Sequence, residues 1–297
     1  MTEHIWEKRV LGRTGFEVTV LGIGSAWLGH RGGGDYDRDE GVQTVLAGLE
    51  TGINLVDTSD NYIGGRSEGV VGRALEQWWA QGHRREELIL SSKLSVYEGN
   101  PDAFSYDGAL YGLEQSLRRL RTDYLDIFLV HDPTDLDPVL ADRGALAALR
   151  KAKEEGTIRA IGLGCRPHAF HRTCIETGEF DVCLTFHDYS LVDTTAEAGM
   201  LETAAAHNAG VFNASINAAL ARPDSAEQTR QLTDWCAARG LELATLNLHF
   251  CLREQRFASI LIGFSRPARV AQNVAALATP IDAAVWEELA RDFGIGR

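Results

Sequence analysis

Short apolar runs recur along the chain at 20–24, 53–57, 88–93, 126–130, 158–164, 182–186, 211–214 and 260–263. Between them, apolar positions repeat about every 3.6 residues, the spacing of helices that pack on a sheet. The runs are unbroken rather than alternating, which marks strands covered on both faces, as in a parallel sheet flanked by helices. Eight such strands in alternation with helices predict an α/β fold, a closed (β/α)8 TIM barrel. A doubly wound open sheet is the competing architecture. It ordinarily carries G-x-G-x-x-G after its first strand, and Gly22 and Gly24 match only the first half of that pattern.

The helical stretches sharpen this outline. Val70, Val71, Ala74, Leu75, Trp78 and Trp79 share one face of a helix for which Ser67 is the expected N-cap. Leu110, Leu113, Leu117 and Leu120 form a second stripe, and Leu146 and Leu149 begin a third that stops in K-A-K-E-E-G, where Gly156 suits the left-handed position after a helix. Residues 8–20 alternate around a glycine-containing turn and predict a β-hairpin ahead of the main fold, placed to plug its core from below. Helical patterns at 225–238, 242–253 and 282–292 predict extra helices toward the C-terminus. The expected organisation is a single domain over residues 1–297.

Composition narrows the classes of function. Length alone allows one large domain or two ordinary ones, and 44% apolar residues suffice for a large core. The formal charge of −13, from 29 basic and 42 acidic residues, disfavours nucleic-acid binding, and no basic patch offsets it. No run reaches the length of a membrane span, and the stretch holding Glu3, Trp6 and Glu7 lacks a signal-peptide core, so a cytoplasmic protein is expected. Cysteines 165, 174, 183, 236 and 251 form no C-x-x-C pair and no even disulfide set. They read as reduced structural thiols, and no metal site follows from them.

In a barrel, reacting groups come from the carboxyl ends of strands and the loops beyond. The second, third and fourth runs end in Asp57, Lys93 and His131, and Tyr62 lies in the loop after the second. Singly, Asp57 can be a turn residue, Lys93 a surface lysine, His131 a satisfied core residue and Tyr62 a packed aromatic. Together at one end of neighbouring strands they point to chemistry. A phenol with an ordinary pKa of about 10 needs help to exchange protons near neutrality, and the Lys93 ammonium is expected to lower that value. Asp57 can fix Lys93 by an ion pair, and His131 can hydrogen-bond a substrate oxygen. This set suits hydride exchange at a carbonyl or carbinol carbon, with Tyr62 as general acid or base.

The chain resembles the aldo-keto reductases through L-G-R-T-G-F-E-V-T-V-L-G-I-G-S (11–25), G-I-N-L-V-D-T-S-D-N-Y (52–62), S-S-K (91–93), D-Y-L-D-I-F-L-V-H (123–131) and K-E-E-G-T-I-R-A-I-G (153–162). That resemblance implies a (β/α)8 barrel binding a nicotinamide dinucleotide without a Rossmann domain, and it carries the family's catalytic Asp, Tyr, Lys and His onto Asp57, Tyr62, Lys93 and His131. The cofactor positions match less closely. The family's G-V-S-N reads G-L-G-C here, placing Cys165 at the carboxamide clamp; Phe186 replaces a Gln, and Ala214 with Ser215 replaces a stacking aromatic. The segment I-L-I-G-F-S-R-P-A-R-V-A-Q-N corresponds to the family's adenosine 2′-phosphate grip, with Gly263, Ser265, Arg266, Arg269, Gln272 and Asn273 as candidate contacts. Ser25 and Asp57 complete the expected cofactor set.

The stretch F-D-V-C-L-T-F-H-D-Y-S-L-V-D (180–193) is similar to the sugar dehydrogenase branch of that family, the L-galactose and D-threo-aldose dehydrogenases. Its A-S-P-L-like motif is altered to A-S-I-N here, at Ile216 and Asn217. Candidate substrate contacts are Trp27, His30, Tyr62, His131, Asp132 and His187, with Asp188 beside the last. The resemblance implies an NAD(P)-dependent oxidation of an aldose at its anomeric carbon, with NADP preferred to NAD because Arg266 and Arg269 suit a phosphate dianion. A general aldehyde, ketone or keto-sugar reductase is the alternative, and a non-catalytic dinucleotide-binding regulatory subunit is a third. A small-molecule sugar or carbonyl compound is the expected partner, without metal, nucleic acid or membrane.

Overall fold

The computed structural model describes residues 7–32 and 35–296; Glu3 and Trp6 of the N-terminal stretch lie outside them. Eight parallel strands close into a barrel: β1 (Leu21–Gly24), β2 (Leu55–Asp57), β3 (Ile89–Leu94), β4 (Leu125–His131), β5 (Ile158–Gly164), β6 (Val182–Phe186), β7 (Gly210–Ala214) and β8 (Ser259–Gly263). Each strand pairs with its successor in the chain, and β8 pairs with β1 to close the ring. The open-sheet alternative is therefore excluded. Among the described residues no helix is long and apolar enough to cross a membrane.

Alternation along the strands assigns the two sides of the wall. Leu55, Ile89, Ile127, Leu129, Ala160, Val182, Leu184, Phe212 and Leu261 fill the interior, whereas Val56, Leu90, Phe128, Val130, Ile161 and Leu163 face the surrounding helices. The interior is tight enough to require glycine at position 162, where a Cβ would lie 2.5 Å from the Val182 carbonyl oxygen. Strands Lys8–Val10 and Glu17–Thr19 form the expected antiparallel hairpin. Leu11, Phe16 and Val18 from it join the interior cluster and plug the floor, as expected from the sequence. At the same end, fully buried Asp126 accepts hydrogen bonds from Arg159, at 2.5 Å, and from the Leu90 N–H, at 2.9 Å, and pairs with Arg85.

The outer layer includes α1 (Arg38–Glu50), α2 (Ser67–Ala80), α3 (Tyr106–Leu120), α4 (Ala145–Glu154), α5 (His168–Glu176), α6 (Glu202–Ala206), α7 (Ala226–Ala237), α8 (Leu243–Arg253), α9 (Pro267–Ala278) and α10 (Ala283–Phe293). The expected stripe of α2 is buried at Val70, Val71, Ala74, Leu75 and Trp78, while Trp79 is half-buried. Gly156 takes the left-handed conformation after α4, at φ 78°. Ser67 is not an N-cap. It is the first residue of α2, wholly buried, and its hydroxyl bonds to Thr58 Oγ1 at 2.9 Å and Ser25 Oγ at 2.8 Å, tying the helix to the ends of β1 and β2. A short antiparallel pair in the loop after β1, His30–Gly32 with Asp35–Tyr36, was not foreseen in the sequence pattern.

Candidate active site

Continuing the inward alternation by one step from Leu55 reaches Asp57, from Ile89 through Ser91 reaches Lys93, and from Leu129 reaches His131. The register aligns these ends, with Asp57 opposite Ser91 and Lys93 opposite Leu129. Lys93 is fully buried, and its Nζ donates to Asp57 Oδ2 at 2.5 Å and to the Thr58 carbonyl at 2.7 Å. Ser91 Oγ donates to the other oxygen, Asp57 Oδ1, at 2.9 Å. A cation so placed has no water to stabilise it, so its direction is set by these oxygens.

Tyr62 stands over this pair, with Lys93 Nζ 4.6 Å from its ring centroid. Its backbone is pinned because its carbonyl accepts the N–H groups of Gly65, Arg66 and Ser67 at 3.1–3.2 Å. That hairpin bend requires positive φ at Gly64 and Gly65, 61° and 83°, which glycine adopts without steric cost. The His131 ring meets Tyr62 edge-on at 5.6 Å, and its Nδ1 lies 2.8 Å from Ser95 Oγ and 3.1 Å from Ser59 Oγ. Ile63, Asp132, His187 and Ser215 also have positive φ, each in a loop beyond a strand end, so backbone strain concentrates at this mouth.

The electrostatics correct one expectation. Burial raises the Tyr62 phenol above its ordinary value, and this outweighs the lowering by Lys93. The resident form is the neutral phenol, with the ammonium ready to stabilise an anion when one forms. For Lys93, burial acts against the charge, but Asp57 and Tyr62 prevail and hold its pKa above the usual value. His131 is pushed down to about 3 by burial and then by Lys93, so it stays neutral.

Two buried histidines make stability pH-dependent. His131 and His171, the latter pushed down to about 4 chiefly by burial, are neutral in the fold but protonate at about 6.5 when unfolded. Below about pH 6.5 the unfolded chain binds the extra protons, so stability present above that value is lost as pH falls toward the folded values. The expected loss by pH 4 is roughly 3 kcal/mol for each histidine. Urea midpoints measured from pH 7 to 4 should fall accordingly; a flat profile would contradict neutral burial.

The other sequence candidates divide into two groups. Trp27, His30, Ser215, Gly263, Ser265, Arg269 and Asn273 line one cavity of about 420 Å³ at the mouth, together with Asn217. Arg269, Gln272 and Asn273 also line an adjoining cavity of about 580 Å³ that runs beneath α9. Asp132 Oδ2 lies 3.6 Å from His131 Nε2, half-buried Phe186 and His187 pack edge to face at 5.2 Å, and Arg266 is exposed just before α9. Several others turn inward. Ser25 is buried and receives Ser67. Cys165 is buried, its N–H donating to the Leu184 carbonyl and its carbonyl 2.9 Å from His171 Nε2, so its main chain is already engaged. Asp188 is buried against His168, at 2.8 Å, rather than facing the mouth. All five cysteines are free and buried.

Sequence reasoning missed the polar groups behind His131. Ser59, Ser95 and Asp60 surround its Nδ1 side, and Ser95 N donates to Asp60 Oδ2 at 3.0 Å. Their signal was the alternation itself, since Ser59 and Ser95 each lie two residues beyond Asp57 and Lys93.

Comparison with known proteins agrees with the barrel fold. The chain is 30% identical to an L-galactose dehydrogenase of Arabidopsis thaliana, covering 91% of this chain and 88% of the relative. A pyridoxal 4-dehydrogenase of Microbacterium luteolum is 29% identical, with 95% and 96% covered, and a D-threo-aldose 1-dehydrogenase of a Pseudomonas species is 27% identical, with 93% and 94% covered. Among solved structures, an aldo-keto reductase of Bacillus halodurans in its holo form superposes with a TM-score of 0.79 at 26% identity, covering 96% of each chain. One from Klebsiella pneumoniae in complex with NADPH gives 0.75 at 25% identity, covering 97% of this chain and 95% of that one. The aldo/keto reductase family model matches residues 20–291, which include all eight strands of the barrel wall and leave out the N-terminal hairpin, and the chain belongs to that family.

Proposed function

We propose that this chain is a nicotinamide-dependent oxidoreductase that oxidises an aldose at its anomeric carbon to a lactone. The observation that carries the reading is the buried Lys93–Asp57 pair beneath the Tyr62 ring. A bound nicotinamide dinucleotide supplies the hydride acceptor. For oxidation Tyr62 first releases its phenol proton to solvent and Lys93 stabilises the phenolate; the phenolate oxygen then takes the proton of the anomeric O–H as the C–H bond gives up hydride and the C=O bond forms, restoring the neutral phenol. Lys93 stabilises negative charge on that oxygen, and Asp57 keeps Lys93 charged and aimed. His131, neutral and beside Tyr62, binds a substrate oxygen and sets its orientation.

The two adjoining cavities suit an extended dinucleotide, since they share Asn217, Ile262, Arg269 and Asn273 and lead from the strand ends to α9. The start of α9 favours a phosphate group. With the Cys165 main chain engaged elsewhere, Ser215 and Asn217 are the polar groups at the inner end best placed for a carboxamide. Arg266 and Arg269 favour NADP, whereas Glu242 on the outer cavity opposes an additional phosphate. Trp27, 61% exposed at the mouth with His30 edge-on at 5.6 Å, offers a flat face to a sugar ring.

Similarity to L-galactose and D-threo-aldose dehydrogenases supports the sugar assignment. The exposed Trp27 and Val96 support a second reading, reduction of an aldehyde or ketone with an apolar portion. Fluorescence titration with NADH and NADPH, followed by aldose oxidation and aldehyde reduction with the tighter cofactor, separates the two. Lactone formation from an aldose is the expected result. Carbonyl reduction without aldose oxidation favours the second reading, and tight cofactor binding without turnover across the panel supports a regulatory subunit instead.

A further inference from the structure

Asp132 departs from the strand that precedes it. Side chains of successive strand residues point to opposite faces, so with His131 turned into the barrel the next residue belongs outside. Asp132 instead takes a left-handed backbone, at φ 46°, with its N–H donating to the Gly164 carbonyl at 2.8 Å. The reversal brings its carboxylate back over the mouth, where Oδ2 stands 3.6 Å from His131 Nε2. Aspartate tolerates this conformation better than most side chains, though not without strain.

The carboxylate held there has no partner of its own. Among the described residues its one ion-pair contact is His131, which is neutral, and 3.6 Å is beyond hydrogen-bond reach. Lys93 acts on it through space, its Nζ being committed to Asp57 and the Thr58 carbonyl. Two hydroxyls, Ser95 and Ser59, meet His131 Nδ1, and with either one donating to it the single proton of the neutral ring stands on Nε2. The mouth thus presents a donor, Nε2–H, beside an acceptor, Oδ2, 3.6 Å apart.

A substrate with oxygens on adjacent carbons matches that pair. The oxygen that reacts at Tyr62 accepts from Nε2–H, and a hydroxyl on the neighbouring carbon, about one hydrogen-bond length from it, reaches Oδ2 and donates. In a cyclic aldose the anomeric carbon has two neighbours: the ring oxygen, which has no hydrogen to give, and C2 with its hydroxyl. We propose that Asp132 is a specificity-determining residue that accepts a hydrogen bond from the hydroxyl vicinal to the reacting carbon, selecting 2-hydroxy substrates and fixing the sugar with C2 toward the end of β4. This rests on the reading that His131 orients the reacting oxygen, and it applies to oxidation and reduction alike.

The test compares L-galactose with its 2-deoxy analogue, and lactaldehyde with propanal. Each is titrated calorimetrically into the full chain, with reduced dinucleotide for the sugars and oxidised dinucleotide for the aldehydes, and kcat/KM is measured beside it. The unsubstituted protein is expected to favour the 2-hydroxy member of each pair about tenfold, the worth of a hydrogen bond to a half-exposed carboxylate. Gly and Asn both suit the backbone at φ 46°, so Asp132→Gly and Asp132→Asn should keep native circular dichroism. The preference should fall to within about twofold in Asp132→Gly and to an intermediate value in Asp132→Asn, which keeps a neutral acceptor. No 2-hydroxy preference in either pair, no binding of either pair, or a preference unmoved by Asp132→Gly overturns the proposal. Equal losses for both members of a pair mean that Asp132 only shapes the loop, and overturn it as well. The expected preference among the aldehydes in a protein that oxidises no aldose leaves Asp132 in this role and rejects the aldose reading instead.

Discussion

Tyr62→Phe is expected to lower turnover about 100- to 10,000-fold while leaving the barrel and dinucleotide binding intact, the loss typical of removing a positioned acid/base group. The reason is local. The Tyr62 main chain is pinned by three N–H groups on its carbonyl, and the ring keeps its edge contact with His131, so deletion of one oxygen leaves the backbone and packing in place. What disappears is the atom that exchanges the substrate proton. Steady-state kinetics in both directions, with cofactor titration beside them, measures this directly. Turnover within a few-fold of the original assigns the proton to another group.

Lys93→Met is expected to be the more damaging substitution to the fold. Lys93 is fully buried and its partner Asp57 nearly so, and removing one member leaves a carboxylate in the barrel without its cation. Breaking a buried pair in this way costs about 3–5 kcal/mol. Urea unfolding should register that loss. The double variant Lys93→Met with Asp57→Asn should recover much of the stability, because no unpaired charge remains, and should recover no activity, because Tyr62 still lacks a cation to receive its negative charge. Equal stability of the single and double variants would mean that the pair is not the anchor of this end of the barrel.

How these residues were legible in sequence follows from barrel geometry. Asp57, Lys93 and His131 stood out because each closes an apolar run, and in a parallel barrel the inward alternation carries those positions to one end. The eight strands were visible for the same reason: burial on both faces leaves runs such as 158–164 almost free of polar residues. Features that depend on distance between elements were not. Ser67 reads locally as a helix cap, and only the assembled fold brings Ser25 and Thr58 to its hydroxyl. The direction of the Tyr62 shift was misjudged because sequence shows that a lysine is near but not how much water the phenol loses. Cys165 and Asp188 occupy positions beside the mouth in the chain, yet their side chains are buried, where His171 and His168 meet them. Leu110 and Leu117 belong to a helical stripe but lie at its half-buried margin, with Leu113 and Leu120 at its centre.

The substrate-facing loops remain the least predictable part of such a chain, since their residues serve no period. Trp27, Ser215 and Asn217 were located by resemblance and position rather than by a pattern, and the cavity brings them together from loops after β1 and β7. Their combined effect on substrate choice is a property of shape.

The most direct test of the whole account follows the hydride. An aldose that the protein accepts, deuterated at its anomeric carbon, is incubated with the oxidised dinucleotide, and the reduced cofactor is analysed by mass spectrometry and NMR. The account predicts that the deuterium appears on the nicotinamide ring of the cofactor and the sugar is recovered as its lactone. Deuterium released to solvent, or lactone formed with none on the nicotinamide, would contradict it.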